Sequence, residues 1–427
     1  MHFGSNEGMF RIFPGRSDEV CGSYDPRLRP WYIAASSGPK NVVMVLDTSG
    51  SMKGQRMDLL KQAATRVIQT LTVSDRVAIV PFSSTAGHVI GDSSGRLLTA
   101  TEDNKAYLVK AIDDLVADGG TNFYDAFEHA FDSLDQSVEA ELNVPCNSVI
   151  LFLTDGEMTE PKGMQETTVI DLVSTRLNTT MQATGKPVML FTYSISDNDS
   201  NVHTFPKQLA CSTGELGVWS KIVNDDNLVE SLNSYYRLFA LGLAQDRNMD
   251  FVAWVEPYPF ATGGVMGTTA SAPVYDRTRT PYLFLGVVGI DFPLAALDKA
   301  LGVESWNNQG VLDRIVRAST AKCPSLNLTV CELESFRRQS SAGDDALCTA
   351  GFCSEDSFVV VESTKCPGIS DYPDELWANS NFMGKSYMVS VSITSLLSLS
   401  RSLCSLVLTF AGCRRRSPLS GSSLLCT

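Results

Sequence analysis

The sequence predicts an α/β fold with a doubly wound, mostly parallel sheet, followed by an α+β unit with an antiparallel sheet. Between residue 41 and about 241, compact apolar runs alternate with helix-period segments. That alternation is the mark of parallel strands covered by helices on both faces. From Phe251 onward β-rich runs are separated by Gly and Pro turns instead, the mark of hairpins. At 427 residues and 44% apolar content, the chain is long enough for about two or three folded domains.

The elements follow in order. Residues 1–39 hold short β-like pieces and a turn region with Pro26 and Pro30. Val42-Val43-Met44-Val45-Leu46 makes 41–47 a buried strand. Met57, Leu60, Ala64 and Val67 fall on one face of a helix over 55–71. A strand over 76–82 and helices over 102–115 and 122–134 come next. Ser148-Val149-Ile150-Leu151-Phe152-Leu153 makes 147–154 a second buried strand. A helix over 165–184, a strand over 187–194 and a helix over 226–239 complete the alternation. Strands are then expected at 251–258, 265–272 and 282–291, and a short helix at 292–301.

The net charge of −14, with no basic run beyond Arg414-Arg415-Arg416, excludes nucleic-acid binding. Of 11 cysteines, Cys323, Cys331, Cys348, Cys353 and Cys366 crowd one region with irregular spacing and no paired C-x-x-C. Disulfides in an oxidising compartment fit this better than zinc or free cytosolic thiols. Sequons at Asn178, Asn198 and Asn327 agree. The start Met1-His2-Phe3-Gly4-Ser5 lacks the basic and apolar regions of a secretory leader, so the sequence is expected to be a fragment of a longer exported chain. Residues 380–427 turn Ser/Leu-rich. The stretch 388–412 is either a membrane segment flanked by Arg414–Arg416 or a spurious tail. Arg401 within it opposes insertion by about 2.5–3.5 kcal/mol.

Asp47-Thr48-Ser49-Gly50-Ser51 is the most informative string. A carboxylate and two hydroxyls emerge at the carboxyl end of a strand, where open α/β sheets bind ligands. Gly119-Gly120-Thr121 precedes a helix, and Thr154-Asp155-Gly156 ends the next buried strand. Ser49, Ser51 and Thr121 are expected to coordinate one hard divalent cation, Mg2+ or Ca2+. Asp47 and Asp155 act directly or through water and hold the hydroxyls in place. With few direct carboxylates the ion stays electrophilic and keeps an open position for a partner's acidic residue. Neither His88 nor His129, the closest in sequence, reads as a general base. With no nucleophile–base pair, phosphate loop or redox motif, the chain is not expected to be an enzyme. D-x-S-x-S, G-G-T and T-D-G in this order resemble the von Willebrand factor A domain and its metal-ion-dependent adhesion site, with a Rossmann-like sheet over 40–241.

Tyr24-Asp25-Pro26-Arg27-Leu28-Arg29-Pro30-Trp31-Tyr32 concentrates aromatics and arginines. On these residues alone, a small-ligand pocket with Arg29 gripping a carboxylate and a packed entry segment fit equally well. Arg-Pro-Trp-Tyr followed by Pro-Lys and the metal-site strand is similar to the alpha-2-delta subunits of voltage-gated calcium channels. Trp254-Val255-Glu256-Pro257-Tyr258 and Leu285-Gly286-Val287-Val288-Gly289-Ile290-Asp291 carry the likeness further. The resemblance implies an A domain inserted into an extracellular Cache domain. Residues 1–39 and 250–370 would form the Cache-like domain, the later part Cys-rich. It further implies a pocket for a free amino acid. Tyr24, Arg29 and Trp31 would hold the α-carboxylate; Tyr32, Tyr258 and Asp291 would hold the α-ammonium. Pro26 and Leu28 depart from the family's more basic string. The family is also much longer, with a signal peptide and a membrane-anchored C-terminus. The expectation is a glycoprotein on the extracellular face of the plasma membrane, binding a channel pore subunit or other surface protein. The alternative is an amino-acid sensor or adhesion protein with no channel partner.

Overall fold

The computed structural model describes residues 1–13, 24–139, 147–156, 158–184, 188–195, 204–212, 217–223, 251–260, 264–276 and 283–301. In chain order the elements are β1 (His2–Ser5), β2 (Phe10–Ile12), α1 (Pro30–Ser37), β3 (Lys40–Asp47), α2 (Gln55–Thr70), β4 (Arg76–Phe82), β5 (Leu98–Thr99), α3 (Glu102–Asp113), α4 (Phe123–Glu139) and β6 (Asn147–Thr154). These are followed by α5 (Glu166–Thr184), β7 (Val188–Ile195), α6 (Thr204–Ser212), β8 (Gly217–Ile222), β9 (Ala253–Trp254), β10 (Tyr258–Pro259), β11 (Met266–Asp276), β12 (Leu283–Pro293) and α7 (Leu294–Leu301).

One sheet has the order β5-β4-β3-β6-β7-β8. It is parallel except for β5, which lies antiparallel on β4. Side chains alternate across a strand, and β3 uses both faces for burial. Val42, Met44 and Leu46 join Met57, Leu60, Ala64 and Val67 of α2 in one core. Val43 and Val45 join Phe123, Phe127 and Phe131 of α4 and Phe152 of β6 in the other. Fully burying one such side chain contributes roughly 1.5–3 kcal/mol, so both cores hold β3 firmly at the centre. The chain leaves β3 for β4 on one side and later returns to β6 on the other. The carboxyl ends of β3 and β6 therefore flank a topological switch point, the usual ligand crevice of such sheets.

The second sheet is antiparallel, in the order β10-β11-β12-β1-β2 with β9 on β11. It draws strands from either side of the first sheet: β1 pairs with β12 through His2↔Gly289 to Ser5↔Gly286. Helix α1 packs on it, with Trp31, Tyr32 and Ala35 against Phe251, Phe284 and Val287. The turn region expected before residue 39 thus contains a helix. Pro30 sits at its first position, where a missing N–H costs nothing. The strand expected over 251–258 is two short pieces, β9 and β10. Pro257 between them has no N–H to continue a ladder. The segments α6, β8 and β5 were not expected from the sequence.

Between α1 and β3 the chain is pinned by a buried ion pair. Lys40 Nζ lies 3.1 Å from Asp75 Oδ1 and 2.9 Å from Ser37 Oγ, and the Lys40 backbone N–H donates to the same Asp75 oxygen. Thr72 donates its N–H to Asp75 Oδ2 at 2.8 Å. Every strong polar demand of this pair is met internally, the condition under which a buried charge pair is tolerated.

No helix among the described residues is long and apolar enough to cross a membrane. The expected helix over 226–239, Asn198, Asn327, the cluster Cys323–Cys366 and the segment 380–427 lie outside the described residues. Asn178 lies exposed on α5.

Candidate metal centre

Three loops meet at the carboxyl ends of β3 and β6. The first follows Asp47. Its carboxylate is fully buried, and each oxygen is engaged: Oδ1 accepts the Ser49 backbone N–H at 2.8 Å, and Oδ2 accepts the Thr154 hydroxyl at 2.6 Å. Asp47 thus turns inward and shapes its own loop. Burial pushes its carboxyl up to about 6; the neighbouring charge of Asp155 adds to this, against the hydrogen bonds from Thr154 and Ser49.

Ser49 and Ser51 hydroxyls lie 3.0 Å apart, and Ser51 donates to Asp155 Oδ1 at 2.9 Å. Ser49 is buried, whereas Ser51 is exposed, so the oxygen cluster opens to solvent on the Ser51 side. The second loop, 118–121, is tied to the first at two points. Asp118 N–H donates to Thr48 O (2.8 Å), and Gly50 N–H donates to Gly119 O (2.9 Å). Gly119 has φ +84°, a conformation that favours glycine. Thr121 donates its N–H to Thr159 Oγ1 at 2.8 Å. It is buried, and its hydroxyl has no hydrogen-bond partner among the described residues.

This donor set fits a hard divalent cation. All contributing atoms are oxygens, and the Thr121 hydroxyl is uncommitted. Among the described residues no group of three or more His, Cys, Asp or Glu forms a metal cluster; the site is two carboxylates with hydroxyls rather than a carboxylate cage. Arg56 is the residue that sequence reading missed here. Its Nη1 lies 2.7 Å from Asp155 Oδ2. The signal was available: Arg56 is the second residue of the helix that follows the motif.

The second string is also gathered around one place. The Arg29 guanidinium carbon lies 5.4 Å from the Tyr24 ring centre and 5.9 Å from that of Tyr258. Its Nε is buried without a hydrogen-bond partner. Tyr258 OH meets Thr269 Oγ1 at 2.6 Å, and that hydroxyl donates to Asp291 Oδ1 at 2.6 Å. Asp291 Oδ2 is 3.2 Å from His2 Nδ1, and the His2 ring stands edge-on to Trp31 at 4.3 Å. Against its partial burial, the bonds from His2 and Thr269 hold the Asp291 carboxyl below the usual range, and burial pushes the Tyr258 phenol up. Tyr32 differs. Its hydroxyl reaches the Ser5 carbonyl and its ring packs edge-on to Phe284 within the core. His2 and Thr269 were not expected. His2 joins only through the β1–β12 pairing, which nothing local in the sequence reveals.

Residues 42–157 match the model of the von Willebrand factor type A domain. The voltage-dependent calcium channel subunit alpha-2/delta-3 of Rattus norvegicus is 29% identical over 312 residues, 70% of this chain and 27% of its own length. The alpha-2/delta-2 subunit of Mus musculus is 30% identical over 304 residues, 68% of this chain and 24% of its own length. The chain thus spans about a quarter of the curated relatives it matches. A von Willebrand factor type A structure from Catenulispora acidiphila aligns with a TM-score of 0.37 and 18% identity, covering 60% of this chain and 55% of that one. The chain carries a von Willebrand factor type A domain and resembles, over more than two thirds of its length, the alpha-2/delta subunits of voltage-dependent calcium channels.

Proposed function

We propose that this chain is part of a non-enzymatic extracellular binding protein, an alpha-2/delta-like auxiliary subunit of a voltage-gated calcium channel. In this reading the unit at 40–241 holds Mg2+ or Ca2+ through Ser49, Ser51 and Thr121, with Asp47 and Asp155 behind them. An acidic residue of a channel pore subunit or other surface protein completes the site. Segments 1–39 and 250–370 form a Cache-like unit that takes a free amino acid between Arg29, Tyr24 and Trp31 on one side and Tyr258 and Asp291 on the other. Tyr32 supports the wall from the core.

The observation that carries the reading is the continuous chain of contacts from Ser49 to Ser51 to Asp155, in a loop that the Gly50–Gly119 hydrogen bond ties to the loop bearing Thr121. Hydroxyls so arranged satisfy little of one another's hydrogen-bonding capacity and leave lone pairs for an ion. The protein's own part is to fix these oxygens before an ion arrives. Asp47 does this by clamping the Ser49 N–H and the Thr154 hydroxyl at once. Magnesium titration calorimetry of the chain tests it. The Asp47→Ala/Ser49→Ala double variant is expected to lose magnesium affinity by at least about tenfold. An unaltered affinity refutes the assignment.

A further inference from the structure

We propose that Arg56 is a built-in rival of the divalent cation for Asp155 and sets how weakly the ion binds. This rests on the cation reading above. The Asp155 side chain is 0% exposed, and a buried carboxylate without a counter-charge is strongly unfavourable. Its Oδ1 accepts the Ser51 hydroxyl, and its Oδ2 faces Arg56 Nη1 at 2.7 Å. Asp155 is the only acidic residue in contact with Arg56 among the described residues.

The position of Arg56 argues that this contact is its purpose. It is the second residue of α2. A cation there opposes the helix dipole, which favours acidic groups in the first turn, as Asp58 supplies. A solvated helix face gains nothing from an arginine at this point; a buried Asp155 gains its counter-charge. Lys53, nearby, has no such commitment: its nearest acid, Asp118, is 3.8 Å away and both are exposed.

A divalent ion among Ser49, Ser51 and Thr121 must draw on the same Asp155 field. The guanidinium subtracts from that attraction and leaves the bound ion with more uncompensated positive charge. Its effect is therefore double. It gives the buried Asp155 its counter-charge, and it keeps a bound ion attractive to an outside carboxylate.

The test is magnesium chloride titrated into the chain at low salt, read by calorimetry and by thermal melting, for the unsubstituted protein, Arg56→Gln and Arg56→Lys. Arg56→Gln is expected to bind magnesium roughly fivefold tighter or more, from the loss of one neighbouring charge. It should melt lower without magnesium and gain more on its addition. Arg56→Lys keeps the charge and should stay within about twofold of the original affinity. Equal or weaker binding by Arg56→Gln, or tightening in Arg56→Lys as large as in Arg56→Gln, overturns the inference. In the unsubstituted protein the Arg56 guanidinium NMR signal should move on magnesium addition; a signal that stays put also overturns it. If the unsubstituted protein binds no magnesium, the cation reading falls too. If it binds and Arg56→Gln is unchanged, only this inference falls.

Discussion

Arg29 is the residue on which the proposed amino-acid pocket turns. Its guanidinium is bracketed by Tyr24 and Tyr258, and its Nε is a buried donor with no acceptor. An unmet buried donor is costly, and a ligand carboxylate is the partner that matches a guanidinium fork best. Arg29→Ala should therefore reduce leucine or glycine binding, measured by calorimetry, by at least about tenfold, in line with the roughly 1.5–3 kcal/mol of a charge-assisted hydrogen bond. Unchanged affinity would sink the pocket. That Tyr24, Arg29 and Trp31 stand close together was legible in the sequence, because they lie within one short string; whether they form a pocket or a packed segment was not. His2 and Thr269 were not legible. His2 reaches Asp291 through the pairing of distant strands β1 and β12, and Thr269 stands opposite Asp291 in the β11–β12 pair, whose register nothing local in the sequence reveals.

At the scale of elements, the first sheet was read well because buried parallel strands are near-continuous apolar runs, as in Val42–Leu46 and Val149–Leu153. Sheet order was not legible, and neither was the short edge strand β5, which has no periodicity to betray it. The helix α1 was hidden for a related reason: Trp31 through Ser37 is buried all round, so no amphipathic stripe marks it. The loop before α4 invites a direct test. A Cβ on Gly120 would stand 2.8 Å from Thr159 Oγ1 and 2.9 Å from Glu160 Cγ. Thr159 Oγ1 is the group that holds the Thr121 N–H. Gly120→Ala is thus expected to displace Thr121 and lower magnesium affinity by about tenfold, while the melting temperature changes little. Wild-type affinity in that variant would show that Thr121 is not part of the ion's shell.

At the scale of the molecule, Glu256 lies where the two sheets' units touch. It sits between β9 and β10, faces Lys105, Glu102 and Asp75 of the first unit, and accepts from the Val73 backbone. Its Oε2 is buried and unpartnered. Burial, with Glu102 and Asp75 adding to it against Lys105 and Val73, pushes its carboxyl up to about 7 from 4.5. The folded state therefore favours the protonated acid. That contribution to stability is complete below pH 4.5 and is lost as pH rises through about 7. Glu256→Gln, which mimics the neutral form, should be more stable than the parent by about 1–3 kcal/mol at pH 8 and no different at pH 4.5 in thermal melts. A pH-independent difference would remove Glu256 as the cause. The pairing of β1 with β12 has another consequence, in time. His2 and Gly289 are partners 287 positions apart (289 − 2). At roughly 5–20 residues added per second, β1 waits on the order of 15–60 s for its partner. A lone β1–β2 hairpin is marginal in water and has an open edge. Through that interval the growing chain carries a sticky unfinished hairpin, while the parallel sheet made next can close without it. Synthesis, more than the finished fold, is where this architecture is most exposed to aggregation.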